Sequence, residues 1–174
     1  MFDKLIDLII EWIADIIPCI IIPEYKAGVV LRFGKYKKTI EGGFHWKIPF
    51  FDNIIQDFIC TTTLGLHPQS VTTKDGKSIV VRGIIKYKIS DIHNYTILVY
   101  DSKDAMSDTT MGIIKETINE RDWEDVQKGK IDNLISKRVI KAMEEYGIEV
   151  EKLTLTDMAE MKSIRLFTNS NILD

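Results

Sequence analysis

The sequence predicts an α+β domain preceded by an amphipathic helix, and three features of its 174 residues lead to this prediction. Between residues 23 and 90, short runs rich in β-branched and aromatic residues alternate with turns that contain glycine or proline, which is typical of strands. Beyond residue 100 the apolar residues recur with a helical period, apart from one late β-rich run. Strands followed by helices favour a mostly antiparallel sheet packed against helices over a repeating βαβ sheet.

Residues 1–22 predict a helix whose apolar surface is too wide for an ordinary surface helix. When the segment is plotted as a helix at about 100° per residue, its charged side chains fall on one stripe: Asp3, Lys4, Asp7, Glu11 and Asp15. The other side is apolar, and its anchoring residues are predicted to be Phe2, Leu5, Ile6, Ile9, Trp12, Ile13, Ile16 and Ile17. Trp12 suits the level of lipid headgroups, whereas the acidic stripe disfavours anionic lipids. Insertion is therefore expected to depend on apolar burial.

This segment is not expected to cross a bilayer. A spanning helix takes about 20 mostly apolar residues, whereas the longest uncharged run here, residues 16–23, has eight. A signal peptide also fits poorly, because the first residues are not basic and acids recur throughout. The pattern indicates a helix lying in the membrane interface, or a shallow re-entrant segment bent at Pro18. The alternative is a helix buried in its own domain or in an oligomer, without lipid.

The strand-rich half is predicted to begin at a turn near Pro23. Residues 29–33, 44–48 and 54–66 are expected to be extended, with a loop over residues 39–43. The strongest local signal is a hairpin around Asp75-Gly76, because this pair tolerates the positive φ of a tight turn. After that turn, residues 78–89 alternate between apolar and basic side chains, as a strand with one buried face does.

Two long helices are predicted in the second half. The first is expected to run from a cap at residues 101–102 to about residue 119, and the second over residues 128–146, with Gly147 as its stop. Residues 148–155 follow as the last strand. Asp157 is then expected to cap a short helix over residues 158–167.

Composition and motifs exclude several classes of function. The first 22 residues hold four acids and one lysine, so the net charge of −3 leaves the remaining chain neutral, without the basic cluster that nucleic-acid binding requires. His45, His67 and His93 are scattered, and no nucleophile elbow or phosphate-binding loop occurs. Cys19 and Cys60 predict reduced thiols, with palmitoylation of Cys19 as an alternative. We therefore predict no catalytic, cofactor-binding or metal-binding residues.

Four segments, in order, carry a resemblance to a known family. They are residues 27–36 (AGVVLRFGKY), 41–52 (EGGFHWKIPFFD), 69–76 (QSVTTKDG) and 146–150 (YGIEV). Together they make the chain resemble the stomatin/prohibitin/flotillin (SPFH, or band 7) family in a short, stomatin-like form. The chain departs from the family pattern at Gly42, where a proline is usual, a change expected to be harmless.

The resemblance implies a non-enzymatic, membrane-anchored scaffold without a cofactor. Family members oligomerise, and some regulate membrane proteases or channels. They usually continue into a long coiled coil and this sequence ends at Asp174, so a small homo-oligomer or co-assembly with a longer relative is expected. The resemblance also suggests a second membrane contact through Phe44, Trp46, Phe50 and Phe51, for which an ordinary strand core is the alternative. Self-association is expected on the exposed side of residues 128–146 and at Met158, Met161 and Phe167.

The predicted organisation is an interfacial or re-entrant anchor at residues 1–22, an SPFH domain at 23–160 and a short helical tail at 161–174. The predicted function is scaffolding on a lipid bilayer, with the domain facing the cytosol. Two alternatives stay open: a regulator that restrains a membrane protease, and a soluble α+β binding module with a buried N-terminal helix.

Overall fold

The structure, a computed structural model, describes residues 18–129 and 131–161, which form nine strands and three α-helices. All strand pairs are antiparallel, and the helices follow the first eight strands along the chain. The predicted α+β class is therefore confirmed. Residues 1–17 of the anchor predicted at 1–22 lie outside the described residues, as does the predicted tail beyond Met161.

The first five strands form two small sheets. Strand β1 (Cys19–Ile22) pairs with β4 (Gly43–Trp46) in a two-stranded ribbon. Strand β2 (Lys26–Arg32) lies between β3 (Lys35–Ile40) and β5 (Asp52–Phe58). The predicted strands at residues 29–33 and 44–48 are thus found with shifted ends, and the predicted stretch 54–66 is divided between β5 and a separate strand, β6 (Thr62–Gly65), whereas β1 and most of β3 were not predicted.

Residues 19–22 were expected to belong to the membrane anchor, but they form strand β1. Its residues pair in register with β4, with Ile21 opposite Phe44. Ile22 is buried in a small apolar cluster with Val30 and Ile40. Three consecutive β-branched isoleucines after Pro18 suit a strand better than a helix. We therefore propose that the folded domain begins near residue 19 and not at residue 23.

The third sheet is built on the long strand β8 (Ser78–Ile89). One side of β8 pairs with β6 (Thr62–Gly65) and then with β7 (Gln69–Thr72), and the other side pairs with β9 (Ile148–Glu160). The predicted hairpin is confirmed, and Gly76 supplies the positive φ of its turn, 80°. The inward residues of β8 are buried and the basic ones point outward, as the alternation predicted.

Strand β9 corrects the prediction for the end of the domain. The predicted helix from residue 158 is wrong as far as residue 160, because β9 continues and Met158 pairs with Val81. The backbone N–H of Met161 extends this pairing by donating to the Ser78 carbonyl at 2.8 Å. Pairing along this stretch satisfies the backbone groups of β8, which a local cap at Asp157 would leave open. The remainder of that predicted helix lies outside the described residues.

The helical half contains a π-helical turn (Asn94–Leu98) and helices α1 (Ser102–Asn119), α2 (Trp123–Gln127) and α3 (Asp132–Glu144). The first predicted helix is confirmed almost residue for residue. The second was predicted from residue 128 but begins at Asp132, because Gly129 adopts a φ of 67° that no helix continues through. The short helix α2 before this turn was not predicted.

The main core lies between the third sheet and the long helices. Helix α1 packs on β7 and on α3, and α3 packs on β9. The buried side chains include Ile79 and Ile85 of β8, Ile114 of α1 and Val139 of α3. Gly147 ends α3 with a φ of 70°, as predicted.

Candidate functional site

The most conspicuous surface of the described chain is aromatic and exposed. Five large side chains on the first two sheets and their connecting loops face solvent, and we call them the aromatic surface: Phe33, Phe44, Trp46, Phe50 and Phe51. Exposure reaches 72% for Phe33 and 79% for Phe50, and the neighbouring Ile21 and Ile48 are exposed as well. Soluble monomers seldom expose contiguous apolar side chains on this scale unless the surface binds something.

The sequence predicted four of these residues as a second membrane contact, with burial in a strand core as the alternative. Phe44, Trp46, Phe50 and Phe51 are all exposed, so the core alternative does not describe them. Their contact with lipid stays a prediction. Phe33 was missed. Its signal was the pair Phe33-Gly34 in a tight turn, a place where asparagine or aspartate usually precedes glycine.

Two aromatic pairs organise this surface. The rings of Phe33 and Phe51 lie 4.8 Å apart at an interplanar angle of 45°. The rings of Phe44 and Trp46 meet edge to face at 5.4 Å. The first pair joins the β2–β3 turn to the loop before β5, and the second lies along β4. Four of the five rings of the aromatic surface therefore contact one another in pairs.

Phe33 and Phe50 hold backbone conformations that bulky residues rarely adopt. Their φ angles are 53° and 66°, in the left-handed region. Phe33 and Gly34 together connect β2 to β3, with Arg32 opposite Lys35, so the turn contains two residues. Left-handed backbone in a non-glycine residue costs free energy and tends to occur at functional sites. Both strained positions carry exposed phenylalanines.

An ion pair holds the loop before β5 against the β2–β3 turn. The guanidinium of Arg32 donates two hydrogen bonds to the carboxylate of Asp52, at 2.7 and 3.0 Å. The backbone N–H of Ile48 donates to the same carboxylate at 2.8 Å, and that of Phe33 donates to the Phe51 carbonyl at 3.0 Å. The hydrogen bonds from Arg32, and to a smaller extent the one from Ile48, hold the pKa of Asp52 below its ordinary value, although burial raises it.

The N-terminal segment joins the domain beside the aromatic surface. The backbone N–H of Lys47 donates to the carbonyl of Pro18 at 2.9 Å. Lys47 lies between Trp46 and Ile48, which are both exposed. Pro18 directly follows residues 1–17, the predicted membrane anchor. The predicted anchor and the predicted second contact therefore meet at one place on the domain.

The predicted self-association residues are not brought together in the described chain. Met158 lies in β9, half-buried against the main core. Met161 is exposed at the end of that strand, and Phe167 lies outside the described residues. On α3, Ile140 is an exposed apolar side chain. These residues remain candidates only.

The histidines and cysteines of the described residues are dispersed over the fold. His45 bonds to the Glu41 carbonyl at 2.7 Å, the ring of His93 lies 4.3 Å from that of Tyr36, and His67 lies between β6 and β7. Within residues 18–129 and 131–161, no three of the histidine, cysteine and acidic side chains converge as metal ligands. Cys19 and Cys60 are free thiols. No helix of this part of the chain is long and apolar enough to span a membrane.

Comparisons with known proteins point to one family. The family model described as SPFH domain / Band 7 family matches residues 20–165. A putative band 7 family protein, R614, of Acanthamoeba polyphaga mimivirus is 25% identical over 133 residues, which cover 75% of this chain and 44% of that protein. Protein HflC of Buchnera aphidicola is 26% identical over 167 residues, covering 87% of this chain and 49% of HflC. Protein HflK of Vibrio cholerae is 27% identical over 103 residues, or 57% and 25%. The chain thus spans less than half the length of each of these relatives.

Proposed function

We propose that this chain, which belongs to the SPFH domain / band 7 family, is a membrane-attached scaffold whose aromatic surface rests on the bilayer interface. Members of the family are in general non-enzymatic, and we assign the chain no catalytic role. The observation that carries the proposal is the exposed aromatic surface at the point where residues 1–17 join the domain. Aromatic side chains favour the interface between hydrocarbon and water.

Two weak contacts together would suffice for stable attachment. Burial of one phenylalanine side chain contributes about 1.5–3 kcal/mol when it is complete. An interfacial helix or a single lipid chain alone often binds reversibly, whereas two such signals anchor a protein. We propose that residues 1–17 supply one signal, with Ile9 and Ile13 on its apolar side, and that the aromatic surface supplies the other.

The test is flotation of the intact chain with liposomes. Two double variants separate the contacts: Ile9→Glu with Ile13→Glu in the anchor, and Trp46→Thr with Phe50→Asn on the aromatic surface. A single variant, Tyr100→Asn, is the control, because that ring is 99% exposed but lies outside both contacts. We expect each double variant to float less than the unchanged chain and the control to float equally. Failure of the unchanged chain to float would favour the soluble binding module.

Deletion would be a poorer test than substitution. A chain beginning at Pro23 would lack strand β1 and the pairing of Ile22 with Gly43. Its loss of flotation would then report damage to the domain as well as loss of the anchor. Substitutions on the apolar side of residues 1–17 leave β1 in place.

We also propose that the chain self-associates on the membrane or co-assembles with a longer relative. The exposed Ile140 of α3 and Met161 at the end of β9 are the candidate contact residues. Light scattering after detergent extraction, with Ile140→Glu and Met161→Glu, tests them.

Since some family members regulate membrane proteases, affinity purification is the second test. A stoichiometric protease in the eluate would favour the regulatory role, and its absence would favour a general scaffold facing the cytosol.

A further inference from the structure

The stretch of the chain that carries the aromatic surface has more bases than acids. Residues 24–52 contain six lysines and arginines but three acids, in a chain whose net charge is −3. Within this stretch, β3 carries three exposed lysines, Lys35, Lys37 and Lys38. The sequence alone suggested a neutral domain without a basic cluster. The structure shows that the three lysines of β3 are exposed.

Two of these lysines lie beside the ion pair that fixes the aromatic loops. Lys35 is directly opposite Arg32 in the β2–β3 pairing. Lys38 is close enough to Asp52 for its charge to help lower the pKa of that carboxyl group. The Asp52 side chain is only 1% exposed and already accepts two hydrogen bonds from Arg32. Arg32 therefore neutralises the charge of Asp52, and within residues 18–129 and 131–161 no carboxylate forms an ion pair with Lys35 or Lys38.

A third lysine lies in a groove among the phenylalanines. The groove has a volume of about 410 Å³, and its lining includes Leu31, Phe33, Lys47, Phe50 and Phe51. Among the described residues that line it, Asp52 is the one acid, and Arg32 neutralises its charge. The groove thus has an apolar wall of phenylalanine side chains and a positive charge from Lys47. This combination is complementary to a lipid phosphate group, which lies at the boundary of the acyl layer.

Protection of a sheet edge does not explain this arrangement. Lysines on an exposed edge strand commonly prevent pairing with other chains, and β3 is an edge in the described sheet. Lys47 is not on β3, however, and follows the end of β4 in the loop between the aromatic residues. A lysine at this position does not protect the edge of β3, whereas it would lie close to an anionic ligand bound beside the aromatic rings.

We infer that the phosphate-bearing headgroup of anionic phospholipids binds at Lys47 in this groove, and that Lys35 and Lys38, outside the groove lining but near Asp52, attract the same lipid surface. The inference rests on the proposed membrane attachment and gives it a lipid preference. The acidic stripe of residues 1–15 disfavours anionic lipids, so a preference for them would come from the domain and not from the anchor. The aromatic rings reach the acyl boundary while the lysine side chains extend to the headgroups.

The test compares vesicles of phosphatidylcholine with vesicles that also contain about 30% phosphatidylserine, enough to give the surface potential of an anionic leaflet. The intact chain is measured beside a triple variant, Lys35→Gln, Lys38→Gln and Lys47→Gln. A matched triple variant with the same change in net charge, Lys74→Gln, Lys103→Gln and Lys115→Gln, is the control, since these three lysines are exposed and lie outside both the groove lining and residues 128–146.

We expect tighter binding to the anionic vesicles, with a preference that falls about fivefold per lysine and about 100-fold for the triple variant. The control variant should keep most of the preference, and added salt should reduce it. Equal binding to both vesicles, or equal losses in the two triple variants, would overturn the headgroup site and leave membrane attachment standing. Binding to neither vesicle would overturn both.

A separate arm distinguishes a lipid headgroup from a free ion. Inorganic phosphate is added to the anionic vesicles and compared with sodium chloride at equal ionic strength. Equal effects of the two salts are expected for a headgroup site that depends on the bilayer. Selective displacement by phosphate would assign the groove to a free phosphate ion and overturn the lipid assignment.

Discussion

Replacement of Phe50 by asparagine is expected to change stability and membrane binding in opposite directions. The left-handed φ of Phe50, 66°, costs an ordinary residue about 1–2 kcal/mol, and asparagine adopts it more readily. The ring is 79% exposed, so its removal forfeits little burial in the folded domain. We expect a gain of about 0.5–1 kcal/mol in the free energy of unfolding, which would raise Tm by about 1–4 °C.

The same change should weaken attachment to the bilayer. Complete transfer of a phenylalanine side chain from water contributes about 1.5–3 kcal/mol, and roughly four-fifths of the Phe50 ring is available for this transfer. If the ring inserts, its loss costs about 1–2 kcal/mol, or about 5-fold to 30-fold in the partition constant. A purely structural residue would show no such loss.

The two quantities are measured by thermal unfolding in the absence of lipid and by liposome flotation. Tyr100→Asn serves as the matched control, because it removes an exposed ring from a residue without a positive φ. We expect that control to leave both quantities nearly unchanged. A destabilised Phe50→Asn variant would refute the argument from backbone strain. Unchanged flotation would refute the membrane role of Phe50.

Three further substitutions test other contacts. Gly42→Ala would bring a Cβ within 2.6 Å of the Glu24 Cα, so we expect a loss of about 1–3 kcal/mol in urea unfolding, and replacement by the proline usual in the family should do no better. Thr110→Val removes a buried hydroxyl that has no partner among the described residues, so it should stabilise the domain by about 1 kcal/mol, and a lower Tm would contradict this. Asp52→Asn tests pH dependence. Because Arg32 lowers the pKa of Asp52 in the folded state, the unfolded state binds more protons below about pH 4, and stability falls as the pH drops through that range. The variant should lose this part of the slope in Tm between about pH 4 and pH 2, and an unchanged slope would contradict the assignment.

Local signals in the sequence predicted the central part of the fold well. The Asp75-Gly76 turn, the alternation along β8 and the capped helix α1 each follow from residues close together in the chain. These features depend on the residue types in turns and on the period of apolar side chains, and both can be identified from the sequence alone. The family resemblance added the order in which they assemble.

Elements decided by distant partners could not be predicted in this way. Strand β1 exists because β4 pairs with it, and β9 continues past Asp157 because β8 offers unsatisfied backbone groups. The signal for a helix after residue 157 was local, and non-local pairing outweighed it. The break at Gly129 was readable in principle, but the apolar period across it concealed the turn.

The candidate site was predicted in part for the same reason. Alternation placed Phe44 and Trp46 on one face of a strand but could not say whether that face was covered. The pairing of β2 with β3 and β5 is what brings Lys35 and Asp52 to the same place, and this proximity is invisible in the chain order. The left-handed φ of Phe33 was not predicted, because the pair Phe33-Gly34 was not recognised as a two-residue turn.

The two-stranded ribbon of β1 and β4 is expected to open locally at a lower free energy than the rest of the domain. Its strands pair only with each other among the described residues, and of its eight positions only Ile22 is buried. Two-stranded ribbons are marginally stable on their own, whereas β8 is flanked on both sides. Amide hydrogens should therefore exchange through local opening in the ribbon long before they exchange in β8. Under the proposed membrane attachment, this ribbon would be able to rearrange against lipid while the α+β core stays folded.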